Sequence, residues 1–449
     1  MACRWTIEDF LFGMRIVRDD EIPITRGAWL RLVADVVASD AETLVVTWRQ
    51  PYILANAHGV SEIPAVPRHL LSDLYQSGDK QAFINNLYWT REFVGLGPFR
   101  MGEWVLGSHL EGLAFDDYFL GRPKVDRVVT RYFPDVNALV ANLLAGEIDV
   151  VPVGALKTEQ IVAARSTWEA SGAGTVTPIM NGLRVNWFSY RDPASPWVGD
   201  VRVRQALVHM LDRQAIVDTL EYGLTTVADT LVTRDDPVYA LMEQRGLARY
   251  PYDVARAERL LGEAGWIRGP GGMYRNSAGQ PITVEVRTVG GNPENLREIL
   301  TLADLWRAGG LDGTTYLIPN EAPNKDELRS KTEGVFANSV RNHPEAMAEF
   351  HSSQISSEAT RWRGNNRGGY ANPSYDRLYD QYIGTLDAGQ RRSLYADVLK
   401  IAADEAIFVP MYYYFGTVSV AVRKGVRGPG PINPIQLASG WNVHTWEMD

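Results

Sequence analysis

The chain has 449 residues, of which 45% are apolar and 22% charged, a balance typical of a globular protein with two or three domains. Its 45 Lys and Arg against 54 Asp and Glu give a formal charge of −9, and no basic run occurs, which argues against nucleic acid and anionic membrane surfaces as partners. The single cysteine, Cys3, cannot form an internal disulfide, so stability must come from packing.

The first part of the chain is predicted to be rich in strands. Its start, MACRWTIEDF, is charged where an export signal is apolar, and no stretch of 18 apolar residues follows, so the sequence as it stands predicts neither a signal peptide nor a membrane span. Residues 34–53 alternate like two strands joined by a turn at residues 39–41, and residues 101–119 like a hairpin that turns at Gly107 and Ser108.

Residues 125–153 form the clearest local unit. A strand-like run is followed by a helix that Asp135 can cap, with Leu139 and Leu143 in its apolar stripe and Gly146 as its end, and a second strand follows. Strand, helix and strand over so short a span predict a parallel pair with a right-handed crossover, and therefore an α/β class.

The second half of the chain is mainly helical. Residues 200–218 predict two helices, each capped by an aspartate, whose apolar stripes indicate a scaffold rather than a charged site. Asp253 can cap another helix, and residues 372–406 contain two more before the chain returns to strand. Linkers are expected near residues 190–199 and 424–434, where Pro, Asp and Gly are frequent.

Motifs for common catalytic chemistry are missing from the sequence. It contains no P-loop, no dinucleotide-binding glycine motif between strand and helix, and neither G-x-S-x-G nor H-E-x-x-H. The seven histidines are scattered and give no zinc-binding spacing. We therefore predict no catalytic residue, metal or cofactor. Aromatic residues cluster at Trp187, Phe188 and Tyr190, where they either line a ligand cleft or pack in a core.

Five blocks of sequence carry a family resemblance. They are FVGLGPFRMGEWVLGSHLEG…AGEIDVVP (93–152), LRVNWFSY…DVRVRQALVHMLDRQAIVD (183–218), YPYDVARAERLLGEAGW (250–266), YANPSYDRLYDQY (370–382) and YADVLKIAADEAIFVPMYY (395–413). In this order they resemble the oligopeptide/dipeptide-binding family, the solute-binding proteins of peptide and nickel ABC importers, from about Trp5 to the C-terminus.

The resemblance implies an α/β fold of the periplasmic-binding-protein-like type II class, with two lobes around a ligand cleft and an additional subdomain. The predicted domains are a small sheet-rich lobe (1–115), the first part of the main α/β lobe (116–190), a second large α/β lobe (191–415) and a C-terminal return to the main lobe (416–449).

The resemblance implies a protein that binds a solute and does not transform it chemically. A monomer in the periplasm, or on the outer face of the cytoplasmic membrane, closes by a hinge motion on an oligopeptide, opine, oligosaccharide or metal chelate and delivers it to an ABC importer permease. The alternatives are a hydrolase acting on a sugar or peptide, and a ligand receptor that does not transport.

Two departures from the family pattern concern the start of the chain and a turn. The family's signal sequence and a W-x-D-G-x-P segment lie ahead of the stretch that matches RWTIEDFLFGMRIV, so we expect either a gene model that starts late or a natural truncation. Leu96 replaces a family threonine, but Gly95, Gly97 and Pro98 preserve the turn.

A third departure concerns the ligand. Peptide binders of the family hold the α-amino group of the ligand with an Asp in a W-x-x-D-Y-x-D-P-like segment, which matches NSVRNHPEAM, residues 338–347, where Val340 or Arg341 replaces the acid. Valine cannot hold a cationic amine and arginine repels it, which disfavours a free peptide N-terminus and favours an anionic or neutral polyhydroxylated ligand. The pocket candidates in this stretch are Arg341, Asn342, His343 and Glu345, with a solvated loop as the alternative.

A second candidate rim is TRWRGNNRGGY, residues 360–370. Here Trp362 could stack on a ligand and either Arg361 or Arg363 could pair with an anion, while Tyr370 ends the stretch; an exposed turn is the alternative. Asn186 and Trp187 complete the predicted ligand-binding set.

Overall fold

The computed structural model describes residues 5–24, 26–57, 62–178, 182–414, 419–429 and 440–449. Cys3, the middle of the last predicted strand (415–418) and the end of the second predicted linker (430–434) lie outside the described residues. None of the helices within these ranges is long and apolar enough to cross a bilayer.

The described residues of the N-terminal region, between residues 5 and 94, include three α-helices and one hairpin. Its elements are α1 (Ile7–Arg18), β1 (Val33–Ala38), β2 (Leu44–Trp48), α2 (Arg68–Gln76) and α3 (Lys80–Ile84). β1 and β2 are antiparallel, as the alternation predicts. One face of α1, with Phe12 and Ile16, packs against α2 and α3, while Met14 and Val17 join the core of the large lobe described below.

The small lobe is built from two segments that are distant in sequence. The first contains β3 (Phe99–Val105), β4 (His109–Ala114), β5 (Arg127–Arg131), α4 (Val136–Leu144), β6 (Val150–Val151), α5 (Thr158–Ser171) and β7 (Gly174–Pro178). The predicted hairpin is confirmed, since β3 and β4 are antiparallel and Gly107 has a φ of +75° at the turn. Asp135 accepts a hydrogen bond from the Ala138 N–H and so caps α4, also as predicted.

The large lobe is centred on a five-stranded sheet. Its elements are β8 (Gly182–Phe188), α6 (Pro196–Gly199), α7 (Val201–His209), α8 (Arg213–Leu220), α9 (Pro237–Gln244), α10 (Val254–Glu263), β9 (Ile267–Arg268), β10 (Tyr274–Arg275), β11 (Thr283–Val289), α11 (Pro293–Ala308), β12 (Asp312–Ile318), α12 (Lys325–Ser330), β13 (Val335–Arg341), α13 (Pro373–Gly384), α14 (Ala388–Asp404) and β14 (Phe408–Tyr414). The strand order is β12-β11-β13-β8-β14, and β11 is parallel to both of its neighbours.

Both faces of the five-stranded sheet are covered by helices. Helices α7, α8, α10 and α11 pack on one face, and α9, α13, α14 and the N-terminal region pack on the other. This covering explains why all seven residues of β8 are buried.

The chain then returns to the small lobe, where the pairing of β6 corrects a prediction. The returning elements are β15 (Ser419–Arg423), β16 (Val426–Arg427) and β17 (Glu447–Met448). The parallel pair predicted within residues 125–153 is wrong, because β5 pairs with β4 while β6 pairs antiparallel with β15. The partner of β6 comes from the far end of the chain, so no local pattern reveals it.

The charged stretch at residues 200–218 is a scaffold, as its apolar stripes predict. Asp200 and Asp212 accept hydrogen bonds from backbone N–H groups in the first turns of α7 and α8. The buried Arg204 and Arg213 donate their hydrogen bonds to backbone carbonyls.

The paired strands show where the chain changes lobes. It passes from the small lobe to the large lobe between β7 and β8, and it returns between β14 and β15. The domain limit predicted after residue 115 separates β4 from β5, which are hydrogen-bonded to each other, and the limit after residue 190 follows β8.

Candidate functional site

Four predicted residues lie at the carboxyl ends of the parallel strands. The last residue of β13, Arg341, pairs with the first residue of β8, Gly182, so this edge of the sheet faces the passage from the small lobe. Ligands of open α/β sheets bind beyond the carboxyl ends of the strands. Arg341, Asn342, His343 and Glu345 therefore occupy the edge at which a cleft between the lobes is expected.

Arg341, Asn342 and His343 present hydrogen-bond donors. Arg341 and Asn342 are exposed, and His343 is half-buried. The Nδ1 atom of His343 accepts a hydrogen bond from the Glu345 N–H at 3.0 Å, so neutral His343 carries its proton on Nε2. Burial lowers the pKa of His343, and the nearby Arg341 acts in the same direction. These residues are suited to carboxylate or hydroxyl groups on a ligand.

The carboxylate of Glu345 is already engaged. The Tyr52 hydroxyl donates to its Oε1 atom at 2.6 Å, and the Tyr52 ring packs on Trp48 with the ring centroids 4.7 Å apart. Burial raises the pKa of Glu345, although the hydrogen bond from Tyr52 opposes this effect. A half-buried carboxylate with this partner is a poor site for a ligand ammonium group. Tyr52 was not predicted as a site residue, because it lies 293 positions away from Glu345 in sequence.

The second predicted rim lies at the other end of the sheet. Lys331, just before β13, is 5.1 Å from the Trp362 ring, and the Tyr190 N–H, just after β8, donates to the Gly368 carbonyl. The seven residues of β13 span roughly 20 Å between this end and Arg341. Trp362 and Arg363 are half-buried here, and the buried Tyr370 donates to Glu405. The structure thus separates the two predicted rims.

Asn186 and Trp187 lie in the middle of β8, on opposite faces of the sheet. The Trp187 ring stacks on Phe336 within the core, with 5.9 Å between the centroids. Asn186 is 0% exposed, and its amide is one of the groups that act to lower the pKa of Glu298. It shares its face with Arg184, which pairs with Glu298 of α11.

A contact between the lobes involves residues that the sequence analysis did not single out. The Thr158 hydroxyl, at the start of α5, donates to Glu221 Oε2 at 3.0 Å, and the Thr158 N–H donates to Glu294 Oε1 at 3.0 Å. Thr158 and Glu221 are buried. No local pattern points to these residues, because the partners are 63 and 136 positions apart.

An open cavity of about 650 Å³ lies between Gln50, Pro51 and helix α13, and none of the predicted ligand-binding residues lines it. Within the described ranges, no three His, Cys, Asp or Glu side chains form a group that could hold a metal ion.

Sequence comparisons identify one family. The family model of the bacterial extracellular solute-binding proteins, family 5 (middle), matches residues 4–356. The oligopeptide-binding protein AppA of Bacillus subtilis is 25% identical over 420 residues, which are 91% of this chain and 72% of that protein. A Brucella ovis protein, named provisionally as an ABC transporter peptide-binding protein, is 28% identical over 280 residues, 62% of this chain. The match spans about half (48%) of the Brucella protein.

Solved structures share the fold. AppA of Bacillus subtilis in complex with a nonapeptide has a TM-score of 0.78 and 21% identity, covering 99% of this chain and 84% of that one. NikZ of Campylobacter jejuni in complex with Ni(L-His) has a TM-score of 0.75 at 18% identity, with the same coverage of 99% and 84%. A Thermotoga maritima periplasmic oligopeptide-binding protein with bound mannohexaose has a TM-score of 0.76 at 17% identity, again covering 99% and 84%. These likenesses confirm the predicted type II periplasmic-binding-protein fold.

Proposed function

The chain belongs to the bacterial extracellular solute-binding proteins of family 5, and on this premise we propose that it captures a small solute between its lobes and delivers it to an ABC importer permease. The observation that carries the proposal is the family match across residues 4–356. The relatives and the solved structures named above are binding proteins, which supports a function without turnover. We further propose that the protein acts as a monomer outside the cytoplasmic membrane.

We propose a domain division that follows the paired strands. The described residues of 99–178, 419–429 and 440–449 form the small lobe, those of 182–414 the large lobe, and those between 5 and 94 an N-terminal region packed on the large lobe. Closure between the two lobes then brings the small lobe towards the carboxyl ends of β11, β12 and β13.

The ligand that we propose carries a carboxylate or several hydroxyl groups near Arg341. Arg341 and Asn342 are exposed, and His343 can donate from Nε2, so three donors stand at the end of β13. The nearest acid in the same loop, Glu345, is bonded to Tyr52 and does not favour the charged form. Five further residues remain predicted ligand contacts, but they lie in the core or at the far end of the sheet and carry less weight than Arg341. They are Asn186, Trp187, Trp362, Arg363 and Tyr370.

Thermal denaturation with a panel of probes tests the proposed capture. The panel contains oligopeptides, the same peptides with acetylated N-termini, opines, oligosaccharides and metal chelates. A bound probe at one hundred times its Kd stabilises the protein by about 2.7 kcal/mol and raises Tm, without product formation. We expect N-acetylation of a peptide to leave its affinity unchanged or to increase it. A panel without any stabilising probe contradicts the proposed function, and a strict need for the free amine contradicts the proposed ligand class.

A pair of arginine variants tests the position of the site. Arg341→Gln removes a charged donor at the carboxyl end of β13, and we expect a carboxylate probe to lose about tenfold or more in affinity, as charge-assisted hydrogen bonds contribute about 1.5–3 kcal/mol. Arg363→Gln is the matched control at the far end of the sheet and should leave the affinity unchanged. Calorimetric titration of the two variants with the carboxylate probe shows which end of the sheet binds it. A loss in Arg363→Gln alone moves the site to the second rim.

A further inference from the structure

The contact between the lobes brings several carboxylates together with one cation. Glu221 follows α8, and Glu294 and Glu298 belong to α11, while Arg184 of β8 pairs with Glu298. With every group ionised, these four side chains carry a net charge of −2 in a buried setting. Buried carboxylates without a full set of cations are relieved most readily by binding a proton.

We propose that the contact of Thr158 with Glu221 and Glu294 is a proton-dependent latch between the lobes. Protonated Glu221 accepts a hydrogen bond from the Thr158 hydroxyl, and loss of the Glu221 proton favours separation of the lobes. The latch lies at the start of α5, where this helix of the small lobe contacts the residue that follows α8 and the first turn of α11 in the large lobe. It rests on the proposed function, because it regulates the same closure that captures the solute.

The groups facing Glu221 from each packed element determine the direction of the effect. They are the hydroxyl of Thr158 from α5, Glu294 and Glu298 from α11, and the Tyr412 phenol from β14. Behind them, the Thr158 N–H donates to Glu294, and Arg184 of β8 pairs with Glu298. The hydrogen bonds from Thr158 and Tyr412 favour the ionised form of Glu221, whereas the two other glutamates disfavour it. The Arg184 charge is engaged by Glu298, so no second cation is available among these groups to neutralise Glu221.

Burial outweighs the favourable hydrogen bonds and raises the pKa of Glu221 to about 7 from its ordinary value of 4.5. When the lobes separate, Glu221 reaches water and its pKa falls back towards 4.5. The closed form therefore binds the proton more tightly than the open form. Between pH 4.5 and 7, the equilibrium constant for closure decreases by up to about tenfold for each unit that the pH rises, and outside this window it is constant.

Energy transfer between dyes on the two lobes tests the latch in the protein without added solute. Leu106→Cys at the tip of the β3–β4 hairpin and Leu386→Cys between α13 and α14 supply exposed positions for labelling, in a Cys3→Ser background. We expect the closed population to decrease as the pH rises from 5 to 8. Glu221→Gln, which keeps a hydrogen-bonding side chain without ionising, should remain closed throughout this range.

Asp218→Asn is the matched control for Glu221→Gln. Asp218 is exposed on α8. Asp218→Asn also removes one negative charge but does not alter the latch, so the pH response of this variant should equal that of the parent protein. The proposal is overturned if Glu221→Gln responds to pH as the parent protein does. It is also overturned if the closed population of the parent does not change with pH.

A variant on the other lobe keeps the test independent of the folding of Glu221→Gln. Thr158→Val removes the hydroxyl, and we expect the closed population at pH 5 to fall towards the level of the parent at pH 8. Unchanged closure in Thr158→Val overturns the latch. If a probe induces closure but the closed population does not respond to pH, the latch is overturned and the proposed function is not. If no probe of the panel binds, the proposed function is contradicted, and a pH response still supports the latch.

Discussion

The buried guanidinium of Arg213 joins three separate segments of the large lobe. Arg213 is 4% exposed, and it donates to the carbonyls of Ala228, Pro410 and Tyr250. Burial lowers its pKa to about 10, which leaves it charged at neutral pH. We expect Arg213→Met to lower the free energy of unfolding by about 2–4 kcal/mol, because three buried carbonyls lose their donor. Urea denaturation measures the loss as a lower midpoint.

Arg202→Met is the control for Arg213→Met. The Arg202 side chain is 43% exposed and pairs with Asp200 at the start of α7. An exposed ion pair of this kind contributes less than about 1 kcal/mol, so the denaturation midpoint should move little. Equal losses in the two variants contradict the role assigned to the buried guanidinium.

Individual side chains show why the sequence predicts partners poorly. Arg204 and His209 lie off the apolar stripe of α7 and are nevertheless buried. Arg204 donates to the Glu405 carbonyl, and the His209 Nδ1 atom lies 2.6 Å from the Pro251 carbonyl oxygen. These partners come from other parts of the chain, so helical periodicity cannot reveal that the two polar residues form hydrogen bonds inside the protein. The same limit hid Tyr52 from the prediction of the ligand site.

Helix ends depend on neighbouring residues, and there the sequence predicts the structure well. The Asp253 carboxylate accepts a hydrogen bond from the Arg256 N–H at 2.8 Å and caps α10. Asp253→Ala removes this acceptor and should cost about 1 kcal/mol of stability, whereas Asp253→Asn keeps an acceptor and should cost less. The difference between the two urea midpoints measures the cap. Indistinguishable variants contradict the capping role.

Pairing between elements is where the prediction from sequence failed. The hairpins β1–β2 and β3–β4 were predicted correctly because each pair is closed by a short turn. β6 has only two residues and pairs with β15, so its neighbours in sequence suggested a false partner, β5. The two candidate rims were predicted from separate stretches of sequence, and only the structure shows that the length of β13 lies between them.

The whole molecule is divided unequally between its lobes. The described residues of the small lobe contribute nine buried apolar side chains to their cluster, whereas the large lobe buries both faces of its central sheet. The family resemblance supplied this two-lobed architecture, which composition and periodicity alone did not. The places at which the chain passes from one sheet to another were found only from the strand pairing.

This inequality predicts that the two lobes open with different free energies. No residue of β3, β4 or β5 is buried, whereas four of the seven residues of β11 are. Segments with little buried apolar surface open at lower free energy than the core of a sheet. We expect amides of β3 to exchange with deuterium at least about tenfold faster than those of β11, which has the same length, in mass-spectrometric exchange at one pH. Equal protection of the two strands contradicts the prediction and indicates that the small lobe is held by contacts that its own core does not supply.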